Sequence, residues 1–555
     1  MNRKQTERER IRKTFGVNRA ISGEYDPALA ARCHNGTFVG KTNGTIDVFY
    51  GIPFAVPPVG ALRWKKPEPV PESDAVSEAY YNGRSPIQSE WPTERASFYP
   101  QGEDCLYLNV WKNRTCLDAH KPVMVFFHGG AYGWGGTADP MYDGTNFVTE
   151  QPGIVLITVG YRVGLMGFVD FSEVPGGEAY SDAPNLGLYD QIEALRWVKR
   201  NAAAFGGDPE NITIFGESAG GGSVSLLPCI PEAKGLFRRV IAESGSVALT
   251  FSKEECREFT RRLLKTSGAK TMDDLCALSE AELMRINEPL NPYNNFPQRD
   301  GKLIPEDAYE PYRNGVTADV DMMIGTNADE MNYWIGEIGG IIPFGFGIPI
   351  KFENDLKKLS KEDRARARRF LRSEAGHWIW KLSAFYTEMM FRLPAIEQAE
   401  QHAAHGGKAF LYYWMQPSKL WQYGACHAAE LAYVFGNTED TVYTGEPANR
   451  ELAKRVMQIW AKFATDGDPG TPELLWPPYD GTTRETMVLR RKPRTERDLR
   501  GEQRKLLAPL LRYRINPSYA TMDYRVPFVY RSIGKVLLIL ALTVGLMIWG
   551  IHSLF

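Results

Sequence analysis

The sequence predicts an α/β protein built on a largely parallel central sheet that is covered on both faces. Short segments are continuously apolar rather than alternating, which is typical of strands buried on both sides. Amphipathic helical segments separate them, and this alternation favours parallel pairing. The predicted strands are residues 123–127, 154–157, 212–215, 240–241, 320–324 and 410–413.

Helices are predicted between and beyond these strands. Leu188, Ile192, Leu195 and Ala202 share one face of a helix that the glycine pair at 206–207 ends. Residues 252–288 and 357–401 are mainly helical in pattern and are interpreted as cap insertions. The predicted organisation has a charged N-terminal extension (1–30), a main α/β domain with these insertions, a linker (516–535) and a C-terminal segment (536–555).

Composition narrows the class of protein. The 555 residues are 43% hydrophobic and 24% charged with a formal net charge of −2, so a sizeable core can be buried and no nucleic-acid partner is expected. The seven cysteines have no short repeated spacing, which indicates neither a disulfide framework nor a zinc site. Free, mostly buried thiols are expected.

The C-terminal segment predicts membrane attachment. Its twenty residues, 536–555, carry no formal charge, and as a helix they would span roughly 30 Å, the thickness of a bilayer core. Arg525, Arg531 and Lys535 precede it. The alternative is a helix docked on the body. Because the N-terminal region lacks the apolar segment of an export signal, we expect the globular body of the protein to face the cytoplasm.

One serine has the setting of a nucleophile. Ser218 stands in Gly216-Glu217-Ser218-Ala219-Gly220, directly after the predicted strand 212–215. This pattern is typical of a sharp strand-to-helix turn that exposes a hydroxyl at the sheet edge. The pattern alone is weak evidence for a nucleophile, so the interpretation depends on whether oxyanion donors, a base and an acid accompany it.

A second loop offers hydrogen-bond donors. The sequence His128-Gly129-Gly130-Ala131-Tyr132 follows the strand 123–127. Small residues there let backbone N–H groups approach a substrate oxygen, as in an oxyanion hole. The ordinary alternative is simple turn chemistry.

A neutral serine needs a base, which the order serine, acid, histidine places after Ser218. The downstream histidines are His377, His402, His405, His427 and His552. His427, in a loop after the strand 410–413, is favoured, although a lone loop histidine is often ordinary. The acid that orients it follows the strand 320–324, where local physics does not choose between Asp329 and Glu330.

Many further segments resemble the type B carboxylesterases, the family that includes cholinesterases and neuroligins. The resemblance covers residues 31–515 and rests on motifs in the family's order. These are Tyr50-Gly51-Ile52-Pro53-Phe54-Ala55, Pro57-Pro58-Val59-Gly60, Leu62-Arg63-Trp64, Glu103-Asp104-Cys105-Leu106-Tyr107-Leu108-Asn109-Val110, Tyr161-Arg162-Val163-Gly164, Asn185-Leu186-Gly187-Leu188-Tyr189-Asp190-Gln191, Phe205-Gly206-Gly207-Asp208-Pro209, Ala461-Lys462-Phe463-Ala464 and Gly467-Asp468-Pro469.

The resemblance implies an α/β-hydrolase fold and a serine carboxylesterase that acts through an acyl-enzyme, without metal or organic cofactor. It implies Ser218 as nucleophile, His427 as base and Glu330 as acid. Its oxyanion hole would use the amides of Gly130, Ala131 and Ala219, with Ala131 in place of the family's common glycine. The expected partner is a small ester.

The resemblance allows an alternative function, and the cysteines of this chain differ from those of secreted relatives. Some relatives are adhesion proteins that keep the fold without catalysis, and this is the alternative function. Relatives that are secreted pair a cysteine like Cys105 with one upstream, but none stands at 85–88, and Cys276 lacks its partner near Ser267.

Residues 335–350, apolar and rich in glycine, are interpreted as a gorge wall, a membrane contact or a packed loop.

Overall fold

A large sheet forms the centre of the molecule. The structure, a computed structural model, describes residues 9, 11–89, 99–290, 295–337 and 342–516. Within them the strands are β1 Ala30–Cys33, β2 Gly36–Val39, β3 Lys41–Thr42, β4 Ile46–Pro53, β5 Val76–Glu78, β6 Ser85–Pro86, β7 Gln101–Gly102, β8 Tyr107–Asn113, β9 Lys121–Phe127, β10 Val155–Val159, β11 Gly207–Glu217, β12 Arg239–Glu243, β13 Asp321–Asn327, β14 Ala409–Trp414, β15 Glu485–Leu489 and β16 Arg494–Arg497.

The described strands form one eleven-stranded sheet and two small ones. The large sheet has the order β16-β15-β14-β13-β12-β11-β9-β10-β8-β4-β3. From β10 to β15 all neighbours pair parallel, whereas β8 and β16 pair antiparallel at the two sides. The predicted largely parallel sheet is therefore confirmed, with antiparallel strands added at both edges.

Both faces of this sheet are covered, as predicted. Along β9, Val123, Val125 and Phe127 belong to one hydrophobic cluster, while Met124 and Phe126 belong to another. Successive side chains of a strand point to opposite faces, so the two clusters are the two halves of the core.

The described helices lie between and after these strands. They are α1 Thr145–Glu150, α2 Gly164–Gly167, α3 Leu186–Asn201, α4 Ala219–Leu226, α5 Lys253–Ser267, α6 Met272–Cys276, α7 Glu280–Leu290, α8 Glu310–Arg313, α9 Asn332–Glu337, α10 Ile342–Lys358, α11 Lys361–Ser373, α12 Trp378–Thr387, α13 Leu393–Ala404, α14 Leu431–Val434, α15 Arg450–Asp466 and α16 Gly501–Leu507.

The helical predictions agree with this arrangement. The predicted helix before the glycine pair is α3, which ends at Asn201 and is followed by a 3₁₀ turn over Ala202–Phe205, after which Gly206 takes a left-handed φ of 79°. The two segments predicted to be mainly helical contain α5–α7 and α11–α13, and their role as cap insertions stays a prediction. Residues 335–350 differ from the packed-loop interpretation, because their described part belongs to α9 and α10, with Ile335 and Ile348 buried.

All seven cysteines are free thiols, five of them buried, as expected. None of the described helices is both long and apolar enough to cross a bilayer. The predicted anchor at 536–555 and nearly all of the predicted linker lie outside the described residues, so the anchor stays a prediction.

Candidate active site

The predicted site residues follow strands that end at one edge of the sheet. His128 comes directly after β9 and Ser218 after β11, while Glu330 follows β13 and His427 lies in the loop after β14. Because these four strands are parallel, their carboxyl ends meet at that edge, where open α/β sheets bind ligands.

Ser218 stands in a strained turn between β11 and α4. Its φ of 57° and ψ of −117° are unfavourable for a residue with a side chain. The turn is tight because the flanking glycines touch backbone: a Cβ on Gly220 would lie 1.9 Å from the Phe127 oxygen, and one on Gly221 2.5 Å from the Glu243 oxygen. Substitution of either glycine is therefore sterically excluded without movement of the backbone.

The same turn places a helix N-terminus beside the serine. Ala219 is the first residue of α4, and the first N–H groups of a helix have no partner within it. The positive end of the helix dipole lies there as well. The Ala219 amide is thus suited to an oxygen that gains negative charge.

His427 and Glu330 are joined by a short hydrogen bond. The distance from His427 Nδ1 to Glu330 Oε2 is 2.6 Å, and Glu330 is fully buried. The other carboxylate oxygen accepts from the Asn327 backbone N–H at 2.7 Å. Since a carboxylate only accepts, the proton on this bond belongs to Nδ1, so in the neutral imidazole the lone pair is on Nε2.

The neighbouring acid has a different contact. Asp329 Oδ2 accepts from the Ala425 backbone N–H at 2.9 Å and so holds the loop that carries the histidine. Burial raises the pKa of Asp329, and the bond from Ala425 opposes that rise. Of the two acids that local sequence left open, the structure brings Glu330 to the imidazole.

The structure does not join Ser218 to His427 directly. Within the described part of the chain, His427 Nε2 has no hydrogen-bond partner. Its neighbour is Oε1 of Glu217, 3.1 Å away, the residue that precedes the serine. Catalytic hydrogen bonds are often long or misaligned without substrate and tighten in the complex.

The loop after β9 has the backbone form of a donor site. Gly130, Ala131 and Tyr132 all have positive φ, of 99°, 50° and 56°. The Gly133 and Trp134 amides close the turn onto the Gly130 oxygen, each at 2.9 Å. A Cβ on Gly129 would lie 3.2 Å from the Ser218 Cβ, so this loop and the serine are in close proximity.

The other candidate histidines lie elsewhere. His402 is buried and bonds Thr317 at 3.0 Å through Nδ1, and burial lowers its pKa. His377 and His405 are exposed. His552 lies outside the described residues.

Sequence reasoning missed the aromatic residues around the imidazole. Trp334 and Phe391 have ring centroids 4.8 and 5.1 Å from that of His427. Trp334 stands on α9, four residues after Glu330, and Phe391 lies in the turn between α12 and α13. Trp334 could have been suspected because it is only four residues from Glu330 in the sequence, but Phe391 comes from a separate helical segment.

Sequence reasoning also missed two fully buried glutamates, Glu430 and Glu243. Glu430 stands three residues after His427, and both Asn327 Nδ2 and Ser244 Oγ donate to it. Burial, together with the nearby Glu330, raises the pKa of Glu430 to about 8. Burial also raises the pKa of Glu243, which accepts from Trp460 Nε1 at 2.8 Å.

Known proteins resemble this chain over most of its length. Residues 27–507 match the model of the carboxylesterase family. A para-nitrobenzyl esterase of Bacillus subtilis is 34% identical, covering 85% of this chain and 97% of the relative. An acetylcholinesterase of Leptinotarsa decemlineata is 30% identical, covering 78% and 77%. The crystal structure of a Geobacillus stearothermophilus carboxylesterase superposes with a TM-score of 0.74 at 32% identity, covering 86% of this chain and 99% of that one.

The sheet and the helices that cover it define an α/β-hydrolase. The chain belongs to the carboxylesterase family, and the protein is a carboxylic ester hydrolase.

The raised pKa of Glu430 predicts a pH-dependent contribution to stability. Between its usual value of 4.5 and the folded value of about 8, the folded state binds more protons than the unfolded state, so raising the pH favours unfolding. Glu430→Gln removes this effect. In urea unfolding at pH 5, 6.5 and 8, the free energy of unfolding of the variant relative to that of the wild type should rise by about 1.4 kcal/mol per pH unit within this window.

The exposed residue Glu502 offers a control, since Glu502→Gln should show no such trend. A stability difference between wild type and Glu430→Gln that stays constant from pH 5 to pH 8 would show that Glu430 is ionised in the folded protein.

Proposed function

We propose that the protein hydrolyses carboxylic esters by two-step acyl transfer, with Ser218 as nucleophile, His427 as general base and then acid, and Glu330 as the orienting acid. The observation that carries this proposal is the 2.6 Å bond from His427 Nδ1 to Glu330, at the edge of the sheet where the turn at Ser218 also lies. That bond sets the tautomer in which Nε2 can accept a proton.

The first half-reaction begins when Ser218 Oγ attacks the ester carbonyl carbon and its proton moves to His427 Nε2. The carbonyl π pair moves to oxygen, and the amides of Gly130, Ala131 and Ala219 stabilise this oxyanion. When the oxyanion collapses, the bond to the alcohol oxygen breaks, and His427 gives it the proton. Water then repeats the sequence on the acyl-enzyme and releases the acid.

The carboxylates around the imidazole support this proton transfer. Glu330 stabilises the imidazolium formed in each half-reaction, and Glu217, 3.1 Å from Nε2, adds a second acidic group beside it. The contact between Oγ and Nε2 forms in the substrate complex.

The surroundings of His427 favour esters with an apolar or aromatic group. Trp334 is half-buried beside the imidazole and stacks on Phe391 with centroids 6.0 Å apart and planes inclined by 21°. Aromatic faces bind flat apolar groups well. A similar protein is named a para-nitrobenzyl esterase, which fits the same substrate class.

The alternative is a catalytically inactive adhesion protein of the neuroligin kind. Such relatives typically have lost the nucleophilic serine. This chain keeps Ser218, and the bonded pair His427 and Glu330 lies at the same sheet edge. The esterase proposal is therefore favoured.

Replacing the nucleophile should stop catalysis. We expect Ser218→Ala to lower kcat for p-nitrophenyl acetate by a factor on the order of 10⁴ or more, because no other group forms the acyl-enzyme. The exposed Ser172 provides the control, and Ser172→Ala should keep wild-type turnover. Undiminished hydrolysis by Ser218→Ala would refute the proposed nucleophile.

The two adjacent acids should differ sharply in their effect on kcat. Glu330→Gln removes the charge that stabilises the imidazolium, and we expect kcat to fall by roughly 10³-fold. Asp329→Asn keeps an oxygen acceptor for the Ala425 amide and should lower kcat by less than about tenfold. The reverse order of the two effects would mean that Asp329 is the acid.

We also propose that residues 536–555 anchor the protein in a membrane with the hydrolase on the cytoplasmic side. The support is the sequence: twenty uncharged, mainly apolar residues preceded by Arg525, Arg531 and Lys535. The full-length chain should sediment with membranes after an alkaline carbonate wash. Leu540→Arg combined with Val544→Arg should release it, because each central arginine opposes insertion by about 3 kcal/mol.

The control for this pair is Leu117→Arg, at a side chain that is 92% exposed, and this variant should stay with the membrane fraction. Release of the wild type by the wash would contradict the anchor. An inactive alkaline phosphatase fused after residue 555 would contradict the orientation.

A further inference from the structure

His128 stands at the start of the loop that carries two of the proposed oxyanion donors, yet the reaction above gives it no role. It follows β9 directly and is only 1% exposed. Its Nδ1 lies 2.9 Å from the Gly129 carbonyl oxygen. Its ring stacks on Tyr161, with centroids 4.3 Å apart and planes inclined by 17°.

The protonation of this imidazole follows from its contacts. A carbonyl oxygen only accepts hydrogen bonds, so Nδ1 carries the proton that bonds Gly129. Nε2 is buried and has no hydrogen-bond partner among the described residues, so a proton there would be unsatisfied. Burial also lowers the pKa of His128 to about 4, which keeps the ring neutral at physiological pH. His128 is therefore a fixed donor rather than a titrating group.

The hydrogen bond from His128 Nδ1 acts on a single rigid peptide group. The Gly129 carbonyl and the Gly130 N–H belong to one planar trans peptide, in which C=O and N–H point in opposite directions. Holding the Gly129 oxygen toward the buried imidazole therefore turns the Gly130 N–H away from it. Because glycines flank this peptide, with Gly130 at a φ of 99°, the backbone alone restrains its rotation weakly.

We infer that His128 is a positioning residue for the oxyanion hole: its Nδ1–H holds the Gly129 carbonyl and thereby aims the Gly130 N–H at the developing oxyanion. This inference rests on the proposed function, which assigns the Gly130 amide to that oxyanion.

The surroundings of His128 hold the ring in place for this task. Tyr161 donates a hydrogen bond from its hydroxyl to the His128 carbonyl oxygen at 2.7 Å and also stacks on the His128 ring, so it restrains both the backbone and the side chain. On the Nδ1 side, a Cβ on Gly135 would lie 2.1 Å from that atom, so only glycine leaves room. Gln88 in turn fixes Gly135, accepting from its N–H at 3.0 Å and donating to its oxygen at 2.8 Å.

A matched pair of substitutions separates donation from packing. In His128→Asn the Nδ2 group takes nearly the position of Nδ1, so the donor is kept. His128→Leu has a similar size and shape but no donor. Both lose the stacking on Tyr161 and should lose similar stability, so the comparison between them isolates the hydrogen bond.

We expect His128→Asn to keep kcat for p-nitrophenyl acetate within about fivefold of wild type, and His128→Leu to lower it by about 10²-fold with KM nearly unchanged, as for the loss of one oxyanion donor. A trifluoromethyl ketone forms a hemiketal oxyanion on the serine. Its affinity should fall in parallel with kcat. If His128→Leu does not accumulate as folded protein, His128→Met replaces it as a larger residue without a donor.

Equal kcat and equal ketone affinity in His128→Asn and His128→Leu, with Ser218→Ala inactive, would overturn the positioning role and leave the proposed function intact. Full hydrolysis by Ser218→Ala would instead refute the proposed function, and with it this inference.

Discussion

The architecture of the site depends on one constraint, the left-handed backbone of Ser218. The chain must leave β11 and enter α4 around a single residue, so the serine is held at a φ of 57°. Such a conformation costs on the order of 1–3 kcal/mol and persists only where the surroundings enforce it. Here Gly216, Gly220 and Gly221 enforce it, because each lies too close to neighbouring backbone to carry a side chain.

Close packing around this turn brings the other loops to the serine. Gly245 approaches the Ser218 carbonyl, where a Cβ would lie 2.4 Å away, and the Ser218 N–H donates to the Glu243 oxygen at 2.8 Å. The turn after β12 is thus fixed against the turn at Ser218. Glu330 and His427 come from the loops after β13 and β14, which long helical segments separate from β12 in the chain. The parallel sheet brings the carboxyl ends of these strands to the same edge, so their loops share one site.

Of the buried acidic groups around His427, Glu330 forms the short hydrogen bond to the imidazole, and Glu217 lies 3.1 Å from Nε2 on its other side. Glu330 is held by the Asn327 amide and bonds His427, whereas the raised pKa of Glu430 keeps that carboxyl protonated at neutral pH. Two ionised carboxylates so close in a buried site would destabilise each other. A neutral Glu430 avoids this repulsion and can still bond Asn327 and Ser244.

The sequence predicted the central strands well because each is a continuous apolar segment, and it found the serine turn because glycines must flank it. It could not choose between Asp329 and Glu330, since adjacency in sequence does not say which side chain turns toward the histidine. Phe391 and Tyr161 were missed as site neighbours because helices and strands distant in the chain bring them there. Outside this central set, β4, β8 and β15 were not predicted although they have eight, seven and five residues. The remaining strands, of two to four residues, are too short to show a pattern.

The central claim is that ester hydrolysis passes through a covalent bond to Ser218. The most direct measurement treats the folded, full-length protein with a fluorophosphonate and locates the adduct by mass spectrometry of its peptides. We predict one adduct per chain, on Ser218, formed as esterase activity is lost and absent from Ser218→Ala. An adduct on another side chain that accompanies the loss of activity, or complete labelling of Ser218 with hydrolysis unchanged, would contradict the account.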